Sequence, residues 1–166
     1  DRLALIDLYR RRGFPEAEIE TPRIEAEGET RARVVFPVNE GLRWFLTALR
    51  IEGLPAETVA ALDRSPLPIE EATPWDPRQV EEARRLLEGL LADTGYPDGR
   101  VEAVVDASRL SEARVTLSVQ PGSFVRIGKI VIAGLQRTRK SVVARSLRRT
   151  GLREGEPYSR TLMLKA

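Results

Sequence analysis

The residues that could do chemistry are few, and their spacing argues against most of it. The chain of 166 residues has no Cys and no His. That removes thiolate nucleophiles, disulfides and thiolate metal sites, together with the commonest general base and metal ligand. The paired carboxylates Glu70-Glu71 and Glu81-Glu82 are adjacent in sequence. Neighbouring helix positions do not face one another, so Glu81-Glu82 makes a poor acid/base pair. No Asp/Asn calcium loop is present, and neither a cofactor nor a metal is expected. Residues 122–129, from Gly122 to Lys129, resemble a phosphate loop only loosely. Five residues instead of four separate Gly122 from Gly128, Ile130 follows the Lys, and the segment reads as a strand instead of opening a helix. A bulge at Gly128-Lys129 is expected there. The basic run Arg137, Arg139, Lys140, Arg145, Arg148 and Arg149 could meet nucleic acid or anionic lipid. It reads better as a solvated helix face, with Arg148 and Arg149 complementing the helix C-terminus. Arg10, Arg11 and Arg12 sit in a last helical turn in the same way. Trp75 and Tyr158 read as packing anchors before a capped helix.

With 27 basic and 25 acidic residues the net charge is +2, too balanced for binding nucleic acid by bulk electrostatics. Hydrophobic residues make up 42%, charged residues 31% and aromatic residues 5%, so any core is built from Val, Ile, Leu and Ala. No run approaches the length of a membrane-spanning helix. The sequence begins inside a helical pattern and reads as an excised piece of a longer chain.

The elements that would position any site come from an internal repeat. Gly13, Phe14 and Pro15 recur as Gly95, Tyr96 and Pro97, an offset of 82. Val38 and Gly41 recur as Val119 and Gly122, and Ile51, Gly53 and Leu54 as Ile132, Gly134 and Leu135, both at an offset of 81. Pro74 and Trp75 recur as Pro157 and Tyr158 at 83, which implies a two-residue insertion. One unit therefore spans residues 42–122. Residues 1–41 are the back half of a preceding unit and residues 123–166 the front half of a following one, with almost no linker.

Within the unit, residues 44–51 and their counterparts 125–132 read as strands. A short helix over 56–63, with Val59 and Leu62 on one side, ends at Pro66 and Pro68; its counterpart spans 139–148. Asp76 is an N-cap with Pro77 at the first helical position, and Ser159 is its counterpart. The helix runs to about Thr94 on the stripe Val80, Ala83, Leu87, Leu90 and Leu91, and Gly95 closes it. Val101, Ala103 and Val105 alternate with Glu102 and Asp106 in one strand. Val115, Leu117 and Val119 alternate with polar residues in the next, after a turn at 107–111. In the first repeat, Ala32, Val34, Phe36 and Val38 alternate with Arg31 and Arg33 and predict a further half-buried strand. The order is β-α-α-β-β.

That order, the repeat length, the Gly13-Phe14 and Gly95-Tyr96 pairs, the Val-x-x-Gly ends at Gly41 and Gly122, and the segment from Phe124 to Gly134 resemble the POTRA domain. The segment and the Gly155-Glu156-Pro157-Tyr158-Ser159 run that follows its helix are similar to outer-membrane assembly factors of the BamA and TamA type. The central repeat departs from them in lacking the Gly-Lys step and in its Pro-rich loop. The resemblance implies an α+β fold of tandem POTRA repeats, each a three-stranded mixed sheet covered on one face by two helices. It implies a non-enzymatic periplasmic scaffold, preceding a membrane β-barrel in the full protein. Its partners would be unfolded outer-membrane protein precursors, accessory lipoproteins or an inner-membrane partner, and not nucleic acid. A POTRA region of a two-partner secretion transporter, recognising one exoprotein, is the alternative. The second strand of each domain lies at a sheet edge in the family, which implies residues 19–26 in the first repeat and residues 101–106 in the central one, so Val101, Glu102, Ala103, Val104, Val105 and Asp106 are the candidate client-binding residues. An edge strand either accepts an extended client through its main chain or merely faces solvent behind Glu and Asp.

Overall fold

The computed structural model describes residues 1–28, 30–134 and 139–165. In chain order the elements are α1 (Arg2–Arg11), β1 (Glu18–Ile19), β2 (Arg23–Ala26), β3 (Ala32–Val35), β4 (Val38–Asn39), β5 (Phe45–Glu52), α2 (Ala56–Leu62), α3 (Pro77–Asp93), β6 (Arg100–Asp106), β7 (Glu112–Gln120), α4 (Lys140–Arg149) and α5 (Arg160–Lys165). The α+β order β5-α2-α3-β6-β7 is the expected β-α-α-β-β. Its three strands form a mixed sheet in the order β5-β7-β6.

Each element of this sheet and its helices has a local cause. Asp76 caps α3 by accepting the Arg78 amide at 2.9 Å, and Pro77 opens the helix where no partner for its missing N–H is needed. The buried stripe of α3 is Val80, Ala83, Leu87, Leu91 and Ala92. Gly95, at φ 104, lets the chain leave that helix in a left-handed turn. In β7 every second residue is buried, Ala113, Val115, Leu117 and Val119, as period-two alternation requires of a central strand with one covered face. Burying one such Leu or Val contributes about 1.5–3 kcal/mol.

By packing, the chain divides into two compact units cut across β5, α3, β6 and β7: Asp1–Arg50 with Ile69–Glu81 and Val104–Thr116, and Ile51–Pro68 with Glu82–Ala103 and Leu117–Ala166. In the first unit Ala17, Ile19, Leu46, Ile69, Trp75, Val80, Ala113 and Val115 are buried. In the second the buried set is Thr58, Ala61, Ala83, Leu87, Leu91, Ala92, Val101, Leu117, Val119, Ile127, Leu152 and Ser159.

The repeat is visible in the hydrogen bonds. In the first unit the Trp75 amide donates to the Trp44 carbonyl at 2.9 Å, Leu46 to Thr73 at 2.9 Å and Ala72 to Leu46 at 2.7 Å. In the second unit the same three bonds run from Tyr158 to Val125 at 2.9 Å, Ile127 to Glu156 at 2.8 Å and Gly155 to Ile127 at 2.7 Å. A fourth bond repeats through a side chain: Glu71 accepts the Leu49 amide, and Glu154 accepts the Ile130 amide, both at 2.8 Å.

Four expectations are corrected. Residues 125–132 form no strand and show only an isolated bridge between Arg126 and Pro157, so there is no ladder for a bulge to interrupt. A strand exists through its partner, and no strand among the described residues lies beside this segment. The strand over residues 19–26 is two pieces. β1 pairs with β4, β2 pairs with β3, and Pro22 and Pro37, which have no amide to donate, fall at the breaks. The β2–β3 hairpin buries no face: Ile24 is 77% and Val34 53% exposed. The buried side of α2 is Thr58 and Ala61, with Val59 exposed. The Thr58 hydroxyl can be buried because it is hydrogen-bonded to the Thr94 hydroxyl at 2.7 Å.

Candidate functional site

Strand β6 is terminal in the order β5-β7-β6, and among the described residues its only neighbour in the sheet is β7. In an antiparallel edge strand, alternate residues turn both N–H and C=O outward. The Val101 amide fixes which ones. It leaves the sheet and donates to the Glu88 carboxylate on α3 at 3.2 Å. Glu88 is itself paired with Arg84 at 2.7 Å. By alternation Val101, Ala103 and Val105 carry the outward groups, and Glu102, Val104 and Asp106 face β7. Glu88 covers the Val101 donor, which leaves the main chain of Ala103 and Val105 as the open stretch of edge.

The side chains along this stretch alternate less cleanly than the sequence predicts. Val101 is buried and Ala103 half-buried, but Val105 is 42% and Val104 52% exposed. The strand thus shows apolar surface on both faces at its far end. Beside Val104 the open sheet face carries a cleft of about 420 Å³, lined by Thr47, Arg50, Asp106, Arg114 and Thr116 among others. Asp106 ends the strand by accepting the Ser108 amide at 2.9 Å. The hydrogen bonds from Ser108, together with the nearby Arg114 and Arg109, hold its carboxyl below the usual aspartate range. The cleft therefore presents a carboxylate between guanidiniums, a lining suited to a polar, extended chain and poor for a purely apolar ligand.

The remaining candidates lie apart from this edge or have structural roles. Residues 122–129 open no helix, since the next one, α4, begins at Lys140. Of the basic run, Arg137 lies outside the described residues, and Arg139, Arg145 and Arg149 are exposed. Trp75 is buried and Tyr158 half-buried. Glu71 serves the Leu49 amide. The identity of Glu71 and Glu154 at the repeat offset was the sequence signal for that role. Among the described residues no group of acidic side chains is placed to hold a metal, and no helix is long and apolar enough to cross a membrane.

No protein-family model matches the chain, and no curated protein matches it in sequence. Solved structures do match in fold. The crystal structure of Haemophilus influenzae BamA POTRA domains 3–5 superimposes with a TM-score of 0.53 at 22% identity, covering 98% of this chain and 64% of that one. The crystal structure of BamA from Haemophilus ducreyi lacking POTRA domains 1–3 gives 0.45 at 16% identity, over 72% of this chain and 22% of that one. The chain thus spans under two thirds of each. The strand order, the element order and the first superposition agree: the fold is that of POTRA domains.

Proposed function

We propose that this chain is a periplasmic POTRA scaffold of an outer-membrane β-barrel assembly factor, and that it takes up unfolded outer-membrane protein precursors by strand addition to β6. In this reading residues 42–122 are one complete domain, and residues 1–41 and 123–166 belong to its neighbours. The full-length protein carries a membrane β-barrel, and accessory lipoproteins or an inner-membrane partner bind elsewhere on the array. The chain is a scaffold and does no catalysis.

The observation that carries the reading is the open main chain of Ala103 and Val105 at a sheet edge, flanked by exposed Val104 and Val105. Strand addition draws affinity from main-chain hydrogen bonds and so accepts many client sequences. Glu102 and Asp106 on the same strand discourage edge-to-edge pairing of two copies.

The test is Ala103→Pro. It deletes an outward N–H and leaves the bonds to β7 intact. Each lost hydrogen bond contributes about 0.5–1.5 kcal/mol, so affinity for an unfolded outer-membrane protein peptide should fall roughly two- to tenfold with the melting temperature unchanged. Unaltered affinity in a folded variant contradicts the reading.

A further inference from the structure

Two corners of the chain are built alike, one inside each compact unit. In the first, the Trp44 amide donates to the Gly13 carbonyl at 2.6 Å; in the second, the Val125 amide donates to the Gly95 carbonyl at 2.7 Å. Both glycines follow a helix at positive φ, 92 and 104. The aromatic residue after each closes the helix end: Phe14 donates its amide to Tyr9 at 3.1 Å, and Tyr96 to Leu91 at 2.9 Å. Neither glycine has room for a side chain. A Cβ on Gly13 would stand 2.7 Å from the Trp44 carbonyl oxygen, and one on Gly95 would enter the Phe124 ring.

The side chains around these corners differ, yet they perform the same contacts. The residue before the amide that the glycine accepts lies on the corner aromatic in both. Arg43 stacks its guanidinium over Phe14 at 5.7 Å, and Phe124 meets Tyr96 edge-on at 5.2 Å. A helix carboxylate then reaches the start of the helix that follows. Asp7 on α1 pairs with Arg78, while Asp93 on α3 accepts from the Thr161 amide at 2.7 Å, the Thr161 hydroxyl at 2.7 Å and the Ser159 hydroxyl at 2.9 Å. Residues 78 and 161 are the same position of the repeat. Asp93 corresponds to Arg11, one turn beyond Asp7 on the same helix face, where Arg11 is itself bound to Asp7. A shared geometry made by exchanged side chains is not explained by coincident packing of identical sequences.

We propose that the exit corner of each repeat is an interaction surface whose partner is the entering edge of the next repeat. The glycine carbonyl takes an amide of the entering segment, the corner aromatic takes the residue before that amide, and the helix carboxylate takes the following helix at its second residue. Consecutive repeats are thereby held in one orientation and unfold together. This holds whether or not β6 receives a client strand.

The chain has no cysteine of its own, so spin labels go in cleanly at Glu82 and Ser146, both exposed and within the second unit. Pulsed electron resonance on the parent should give one narrow distance. Gly95→Ala, which drives a Cβ into Phe124, and Asp93→Ala, which deletes the carboxylate without touching the backbone, should each lose that single narrow maximum. Both should also split a single unfolding transition into two, with helical circular dichroism retained. If Gly95→Ala does not fold, Asp93→Ala decides. A narrow distance and a single transition retained in the Asp93→Ala protein overturn the proposal.

Discussion

At the scale of single residues, the glycines separate two effects that sequence cannot. Gly53 and Gly134 occupy matching positions with φ 76 and 77. A Cβ at Gly53 would lie 2.6 Å from the Val119 carbonyl oxygen, whereas one at Gly134 meets nothing within 4 Å among the described residues. Gly134→Ala should therefore bear only the left-handed backbone cost, about 1–2 kcal/mol. Gly53→Ala should lose more, since the collision adds to the same cost. Equal urea midpoints for the two variants would contradict this. Asp93 supplies the pH dependence. Burial pushes its pKa up, but hydrogen bonds from the Thr161 amide, the Thr161 hydroxyl and the Ser159 hydroxyl outweigh burial and hold it below the ordinary aspartate range. The folded state then prefers the ionised form. The contribution is complete above the ordinary aspartate pKa and is lost as the pH falls through the depressed one. Urea titrations from pH 6 down to pH 3 should show a steeper acid loss in the parent than in Asp93→Asn; superimposable curves would sink the assignment. Such residues were only partly legible. The recurrence of Gly13 as Gly95 and of Gly53 as Gly134 is legible in the repeat, but which of them has no room for a Cβ is not. The partners of Asp93 and Thr58 are distant in sequence and have no periodic signature.

At the scale of elements, local pattern succeeded where an element carries its own reasons. The N-cap Asp76, the stripe from Val80 to Leu91 and the alternation of β7 each follow from short-range rules, and the structure matches them. Failures came where the neighbour decides. The apolar run at 125–132 has strand character and no ladder, because its potential is realised only against a partner strand. The exposed Val59 and buried Thr58 on α2 reverse the hydrophobicity rule because a second hydroxyl waits at Thr94. For β6 the same logic gives a contrast between adjacent positions. Proline at Ala103 removes an outward donor and should leave the melting temperature unchanged. Val104→Pro removes a donor that faces β7, leaves a β7 carbonyl unpaired and should destabilise by about 1–3 kcal/mol. Equal melting temperatures for the two variants would mean that the outward and inward sets are misassigned.

At the scale of the whole molecule, the account rests on which main-chain groups are open. The repeat and its β-α-α-β-β order were readable from the spacing of Gly, Pro and aromatic residues, because a unit used again leaves its turns at fixed intervals. Which amides of the edge are already taken was not readable, since the Glu88 bond to Val101 depends on how α3 lies near the strand. Amide hydrogen exchange, residue by residue, in the presence of an unfolded outer-membrane protein peptide tests the claim most directly. In the free protein Glu102 and Val104 should exchange slowly and Ala103 and Val105 fast. On peptide addition Ala103 and Val105 should become protected while Val101 changes little. Protection that appears elsewhere and leaves Ala103 and Val105 fast would contradict strand addition at β6.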